Sequence, residues 1–430
     1  MPHDTINLQR GSSQDVSVRS CQSVASARAQ VDEEGLEEEK KFPAHFRNES
    51  VSVYWRYGIV IYLLAVLSLL LTSDIGSGVV ALTKVVPSAN DNFTKAREQV
   101  LLEASVFTSV KELWNLGSYG LAILIVVTSI MWPYVKLLLS LYAWMWPFRT
   151  ARGRERLLVL LDVLGKWSFV DVVVFIEIMV VFRATIPLGG PTLEVWIAPR
   201  WGFFGFVAAT MLSLIGTHAI LFHHRRIVYG TITSNLQGLQ NIAGIATIRT
   251  LLMSFLLLAA AGIYFAGCCI GMFRILNSRG NLEIAPVDYS LIDVGRDLSD
   301  AGQHPDDRAQ TWLQIIWFTL AMAAPIGSFI LFAVLLWAPW KGAALRKILF
   351  LAEISFAWNC AEVVFVSTIF AVLEVPTFGE GLIDSGCDTC YSVDSKLLNE
   401  LAVLGVGTLL SVLANALIFQ RAHQSLYCNS

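Results

Sequence analysis

Eight apolar stretches, at about 54–73, 118–146, 167–186, 201–222, 249–273, 311–337, 348–373 and 399–419, decide what this chain can fold into. Roughly 20 apolar residues are enough to cross a hydrocarbon core about 30 Å thick. Composition agrees, with 55% of the 430 residues hydrophobic and 15% charged, where a soluble domain carries about 25% charged residues. The mean hydropathy of +0.59 points the same way. The expected class is therefore an all-α integral membrane protein, with eight transmembrane helices joined by loops.

Within that pattern a block from Trp114 to Phe182 recurs in altered form from Asp293 to Leu373. Ser129-Ile-Met-Trp-Pro133-Tyr-Val-Lys136 leads through an apolar run to Trp144-Met-Trp-Pro147, and Ala321-Met-Ala-Ala-Pro325-Ile-Gly-Ser328 leads to Trp337-Ala-Pro339. The two prolines keep the same separation in both copies. Further on, Asp162, Trp167 and Asp171 align with Glu353, Trp358 and Glu362, and Glu177 aligns with Thr368. Apolar letters match cheaply in so apolar a chain, whereas carboxylates and prolines do not. The repeat predicts two tandem four-helix modules. The boundaries are a disordered cytosolic tail at 1–50, a first module at 51–226, a linker at 227–244, a second module at 245–422 and a C-terminal tail at 423–430.

Orientation follows from the bias of Lys and Arg among the short loops. One set holds Arg149, Arg152, Arg154 and Arg156, then His223-His224-Arg225-Arg226, then Lys341, Arg346 and Lys347, with Arg421 near the C-terminus. The opposite segments, 274–310 and 374–400, are acidic. With an even number of spans both termini are expected in the cytosol, and the outer segments are extracytoplasmic loops. Because each module has an even number of spans, the halves should be related by an axis along the membrane normal.

The motifs Ser129-Ile-x-x-Pro133-x-x-Lys136-Leu137 and Gly165-Lys166-Trp167-Ser168-x-x-Asp171-Val resemble those of the paraquat-inducible protein A family. The resemblance covers roughly residues 54–422 and is stronger in the first module. In the second, Ser328 stands at the motif lysine, and Ala357 and Asn359 stand at Lys166 and Ser168. It implies two tetraspan modules and movement of lipid between the membrane and an extracytoplasmic acceptor. In bacterial relatives that acceptor is a tunnel-forming MCE-domain protein. Bacterial members also place cysteine-rich zinc ribbons beside the modules. Here only Cys21 lies in the N-terminal segment and none lies in 223–248, so no metal and no other cofactor is expected.

Ionisable groups inside a membrane are costly and seldom face lipid, which singles out Glu177, Lys136, Asp171 and Glu362. Trp167 and Asp171 share a helical face, as do Trp358 and Glu362. A polar path that grips a headgroup or relays protons is one reading, with Ser129, Lys166, Ser168 and Asn359 as further members. The other is a buried ion pair of Lys136 with Asp171 or Glu177 that holds helices together. Lys166 and Asp162 are expected to snorkel at the cytosolic boundary, and the 223–226 cluster to anchor at anionic headgroups. Pro133 and Pro325 should kink their helices and free backbone carbonyls, which Ser129 or water can satisfy in the first module. Cys387-Asp-Thr-Cys390 is expected to form a structural disulfide, since no second CxxC or nearby His completes a metal site. Cys268, Cys269 and Cys360 are read as packing residues. Asn92-Phe-Thr94 is a glycosylation sequon on an outer loop, hinting at a plasma membrane or endomembrane protein of a eukaryote, and Asn48-Glu-Ser50 falls on the cytosolic side.

No Walker motif, GxSxG or HExxH is present, so an ATP-driven pump or a hydrolase is not expected, nor a nucleic-acid partner. Transport of lipid or another amphiphile is the leading expectation. The alternatives are a proton-coupled carrier or channel for a small solute or ion, and a tetraspan scaffold that binds partners through its outer loops.

Overall fold

The computed structural model describes residues 43–47, 51–86, 97–115, 117–182, 184–187, 192–229, 248–279, 282–283, 286–299, 308–337, 342–383 and 392–427. Asn92, Asn48, Cys21, Cys387, Cys390, the tail up to residue 42 and linker residues 230–247 lie outside them.

Helix α1 (Val53–Ile75) leads into strands β1 (Val79–Val86) and β2 (Arg97–Ala104) and a short helix α2 (Val106–Asn115). The next crossing is α3 (Tyr119–Met145). The chain returns through α4 (Ala151–Gly165), a 3₁₀ turn at Lys166–Phe169 and α5 (Val170–Val181). Strands β3 (Ala184–Pro187) and β4 (Thr192–Pro199) follow, then α6 (Trp201–Tyr229). The second half runs α7 (Ile248–Cys269), β5 (Phe273–Arg279), β6 (Leu282–Glu283), β7 (Val287–Tyr289) and α8 (Leu291–Asp297). It continues with α9 (Arg308–Trp337), α10 (Gly342–Trp358), α11 (Ala361–Ile383), β8 (Ser392–Leu397) and α12 (Leu401–Tyr427).

Among the described residues, seven helices are long and apolar enough to cross a membrane. The third expected crossing, 167–186, is not one of them, because its expected start falls on the 3₁₀ turn. The path is continuous but broken: α5 alone has 12 residues, about 18 Å at 1.5 Å per residue. The polar α4 before it carries Arg154, Glu155 and Asp162. Leu164, at the break, has its carbonyl satisfied by the Trp132 indole N–H at 2.9 Å, as a helix end requires. A similar break at Asn359–Cys360 separates α10 from α11.

Both expected kinks take the form of π turns. One covers Val126–Met131, just before Pro133, and the other covers Thr319–Ala323, just before Pro325. Proline lacks an N–H, and its ring collides with the carbonyl four residues back. The wider π turn opens the helix at that point. In the second half the freed carbonyl is that of Ala321, which accepts the Tyr264 hydroxyl at 2.6 Å. In the first half Thr128, rather than Ser129, donates to the backbone, at Leu124 O (2.8 Å).

The outer segments were expected as loops and instead carry sheets. One sheet has the order β2-β1-β4-β3, antiparallel throughout. In the other, β5 pairs antiparallel with β6, β7 and β8. The reason is positional: α1 packs along α6, and α7 along α12. The strand leaving the first helix of each pair therefore meets the strand entering the last, giving β1 with β4 and β5 with β8. The α7–α12 contact depends on small residues. A Cβ on Gly407 would lie 2.6 Å from Tyr264 N, and one on Gly267 2.7 Å from Leu404 Cα, so the two backbones touch through glycine.

The halves meet through α5 on α11 and α4 on α10. These paired helices run side by side in the same direction, which puts both sheets at one end. The opposite end, with Arg154 and Arg225, is called the basic end below.

Candidate functional site at the seam between the halves

The seam is built from the broken helices. Lys166 opens the 3₁₀ turn and is 1% exposed, too deep to snorkel as the sequence suggested. It forms an ion pair with Glu362, in the first turn of α11, and its ammonium lies 4.7 Å from the Phe356 ring centre. The helix N-terminus favours the carboxylate and the ring face favours the cation.

Glu177 is buried near the middle of α5, and its Oε1 accepts the Thr368 hydroxyl at 2.5 Å. The sequence comparison expects Thr368 as the counterpart of Glu177, and the two side chains meet across the seam. The same hydroxyl also lies 2.9 Å from Val364 O. One hydroxyl hydrogen cannot serve both acceptors, and Glu177 Oε2 has no partner among the described residues. Ser367 donates to Val170 O at 3.4 Å beside them.

At the basic end Arg225 closes the seam. Its Nε donates to Glu155 Oε1 at 2.9 Å, while Nη2 donates to Glu353 Oε1 at 3.0 Å and Nη1 contacts the other Glu353 oxygen. Phe222 and Phe350 pack next to it, ring centres 5.6 Å apart.

Lys136 is 1% exposed, and its Nζ has no hydrogen-bond partner among the described residues. The expected ion pair with Asp171 or Glu177 is not formed, and among the described residues Asp171 has no ion pair. The reason is orientation. The Lys136 ammonium points at Gly165, where a Cβ would lie 2.6 Å from Nζ, so the glycine makes its space. Near it Asp162 Oδ1 and His218 Nδ1 are 2.9 Å apart, close but without hydrogen-bond geometry. In the second half the corresponding place is neutral: Asn415 donates to Ser328 Oγ at 3.2 Å and to Ser411 Oγ at 3.5 Å.

Of the remaining candidates, Ser129 is buried in the π turn, 3.5 Å from Thr128 Oγ1, and Ser168 is buried in the 3₁₀ turn. Asn359 has a structural task, its Oδ1 accepting the Ala361 N–H at 3.1 Å at the start of α11. Val127, Thr128, Met131, Trp132, Val135, Leu164 and Trp167 line an apolar groove of about 390 Å³ between the π turn and the 3₁₀ turn. Sequence reasoning missed Asp74, whose Oδ2 accepts the Tyr134 hydroxyl at 2.7 Å, because it sits at the polar end of its span. Glu155 is likewise not singled out by the sequence, and Thr368 enters there only as the counterpart of Glu177. Among the described residues no group of His, Cys, Asp and Glu could hold a metal ion.

Seven apolar helices, with ionised groups turned inward onto one another, define a multi-pass membrane protein. Residues 98–227 match the family model described as paraquat-inducible protein A, so this part of the chain carries that family's domain. The match covers both motifs of the first half. No curated protein and no solved structure matches the chain.

Proposed function

We propose that the protein moves lipid or a similar amphiphile between the bilayer and an extracytoplasmic acceptor. On this reading the chain is two tandem four-helix modules with eight crossings, the broken α4–α5 path being the eighth. Both termini are cytosolic, and the sheets stand outside. The observation that carries the reading is the contact of Glu177 with Thr368, its own counterpart in the repeat. A residue on a pseudo-two-fold axis meets its equivalent in this way, which supports a polar seam between two like modules. That is where transporters built from repeats handle substrate. The family match of 98–227 takes in the two motifs whose resemblance implies lipid as the substrate class.

The path on this reading is asymmetric. Lys136, Glu177 and Lys166 come from the first module, and the second contributes Glu362 and Thr368. Glu177 has room for a proton: a carboxyl O–H can donate to Thr368 Oγ1 while Thr368 donates to Val364 O. A second reading, a proton-coupled carrier of a small solute, draws on the buried Lys136 with Asp162 and His218 nearby.

Proteoliposomes carrying fluorescent phospholipid, mixed with acceptor vesicles, test the choice. Lipid should transfer faster than from protein-free liposomes, and Glu177→Gln should abolish the gain while folding normally. Absence of lipid transfer, with acidification of a lumenal pH dye, would replace the first reading by the second.

A further inference from the structure

Residues 43–47 are seated in the basic end of the first half. His45 is fully buried, with its ring 5.5 Å from that of Trp144 and 5.0 Å from that of His224. Its Nε2 lies 2.8 Å from His224 Nδ1. Pro43 O accepts from Arg154, which also donates to Trp146 O, at 3.2 and 2.9 Å. Phe46 packs edge-on against Tyr57 at 5.2 Å. This short segment therefore grips α1, the end of α3, the start of α4 and the end of α6.

The residue after His224 on α6 is Arg225, the cation shared by Glu155 of α4 and Glu353 of α10. The two carboxylates differ in what they hold. Glu155 belongs to the same half as Arg225, whereas Glu353 belongs to the other, so only the Glu353 bond crosses the seam. A planar guanidinium with five donors keeps one carboxylate after losing the second. Arg225 can thus release α10 and stay docked on α4, without a charge left bare in its own half. The Phe222–Phe350 pair lies across the same boundary and parts with it.

We propose that Arg225 and Glu353 form a latch that closes the basic end of the seam, and that segment 43–47 is a strap that sets it by fixing α6 through His45 and His224. With the strap docked, α6 presents Arg225 to Glu353. Displacement of the strap frees that end of α6, and the latch opens while each half stays folded. The latch does not depend on what the seam conducts.

The test uses full-length protein in nanodiscs with Phe222→Cys and Phe350→Cys, joined by a short thiol-specific cross-linker and compared with the single-cysteine controls. Cross-linking should be efficient in this background. Adding Glu353→Gln should reduce it several-fold, and so should His45→Ala, whereas Glu155→Gln should leave it within about twofold because the crossing bond remains. Phe46→Ala, at the edge of the strap, gives a milder second variant should His45→Ala not fold, and it should lower the yield in the same direction. Melting temperatures confirm folding in each case. Unchanged cross-linking in the strap variants would overturn the coupling. Equal losses for Glu155→Gln and Glu353→Gln would reduce the cluster to a structural ion network.

Discussion

Replacing Lys166 by methionine keeps most of the side-chain volume and leaves the Glu362 carboxylate without its cation. The carboxylate has little else to turn to, because its Oε2 is buried with no hydrogen-bond partner among the described residues. Breaking a buried pair from one side costs about 3–5 kcal/mol. Lys166 is 1% exposed but Glu362 retains 21%, so the lower end, about 3 kcal/mol, is the expected loss. That is roughly a hundredfold in the unfolding equilibrium. Lys166→Met with Glu362→Gln removes both charges and should recover most of the loss, since a buried pair replaced as a whole is often neutral. Equilibrium unfolding in mild detergent, read for wild type, both single variants and the double variant, yields the coupling energy. Single variants within about 0.5 kcal/mol of wild type, with additive effects, would mean that the pair is solvated and that the seam is not a closed polar layer.

Thr368→Val removes the donor to Glu177 Oε1 and should cost about 1–3 kcal/mol, measured by the same unfolding assay. Gly407→Val sets a side chain where Tyr264 N already lies 2.6 Å from the first added atom. It should part α7 from α12 and destabilise by about 3 kcal/mol or more, above the usual range for overpacking because the obstacle is backbone. Gly165→Ala should displace the Lys136 ammonium and lower the melting temperature, and adding Lys136→Met should not restore it fully, since Leu214 also lies 2.6 Å from the added Cβ. The last prediction concerns acid. Burial first, then Arg154, His224 and His223, hold His45 down to about 2 from its ordinary 6.5. The released segment takes up a proton below about 6.5 and the docked one does not, so strap docking weakens as pH falls from about 6.5, by about 1.4 kcal/mol per unit, and is unaffected above it. Hydrogen-exchange protection of 43–47, corrected for intrinsic rates, should fall between pH 7.5 and 5.5.

The apolar runs revealed most of the helices, because a chain in hydrocarbon has few ways to hide its backbone. The prolines were equally legible: a residue without an N–H must disturb a helix, and both do so at matched places. Glu177 could be singled out from one letter in an apolar run. Partnership could not be read that way. Lys166 looked interfacial because its depth depends on a turn that only packing against α11 defines, and Lys136 faces Gly165 because of a π turn upstream. The strands were hidden for a similar reason, since β1 has no partner until α1 and α6 have brought β4 to it. The hydrogen bond that Asn359 Oδ1 accepts at the start of α11 is equally illegible from a single letter.

The π turn at Val126–Met131 also acts as a phase step. Such a turn holds one residue more than the α turn it replaces, and each helical residue advances by about 100°. Everything in α3 after Pro133 is therefore indexed one step away from everything before Val126. That step carries Lys136, Ser140, Ala143 and Trp144 onto the buried side of the helix. Deleting any one residue within 126–131 would do more than shorten α3. It would re-index the whole basic-end half of the helix, rotating an ammonium and an indole out toward lipid and apolar neighbours in toward Gly165. Because α9 carries its step at the matching proline, the two halves share one phase, and a deletion in either would set it against the other.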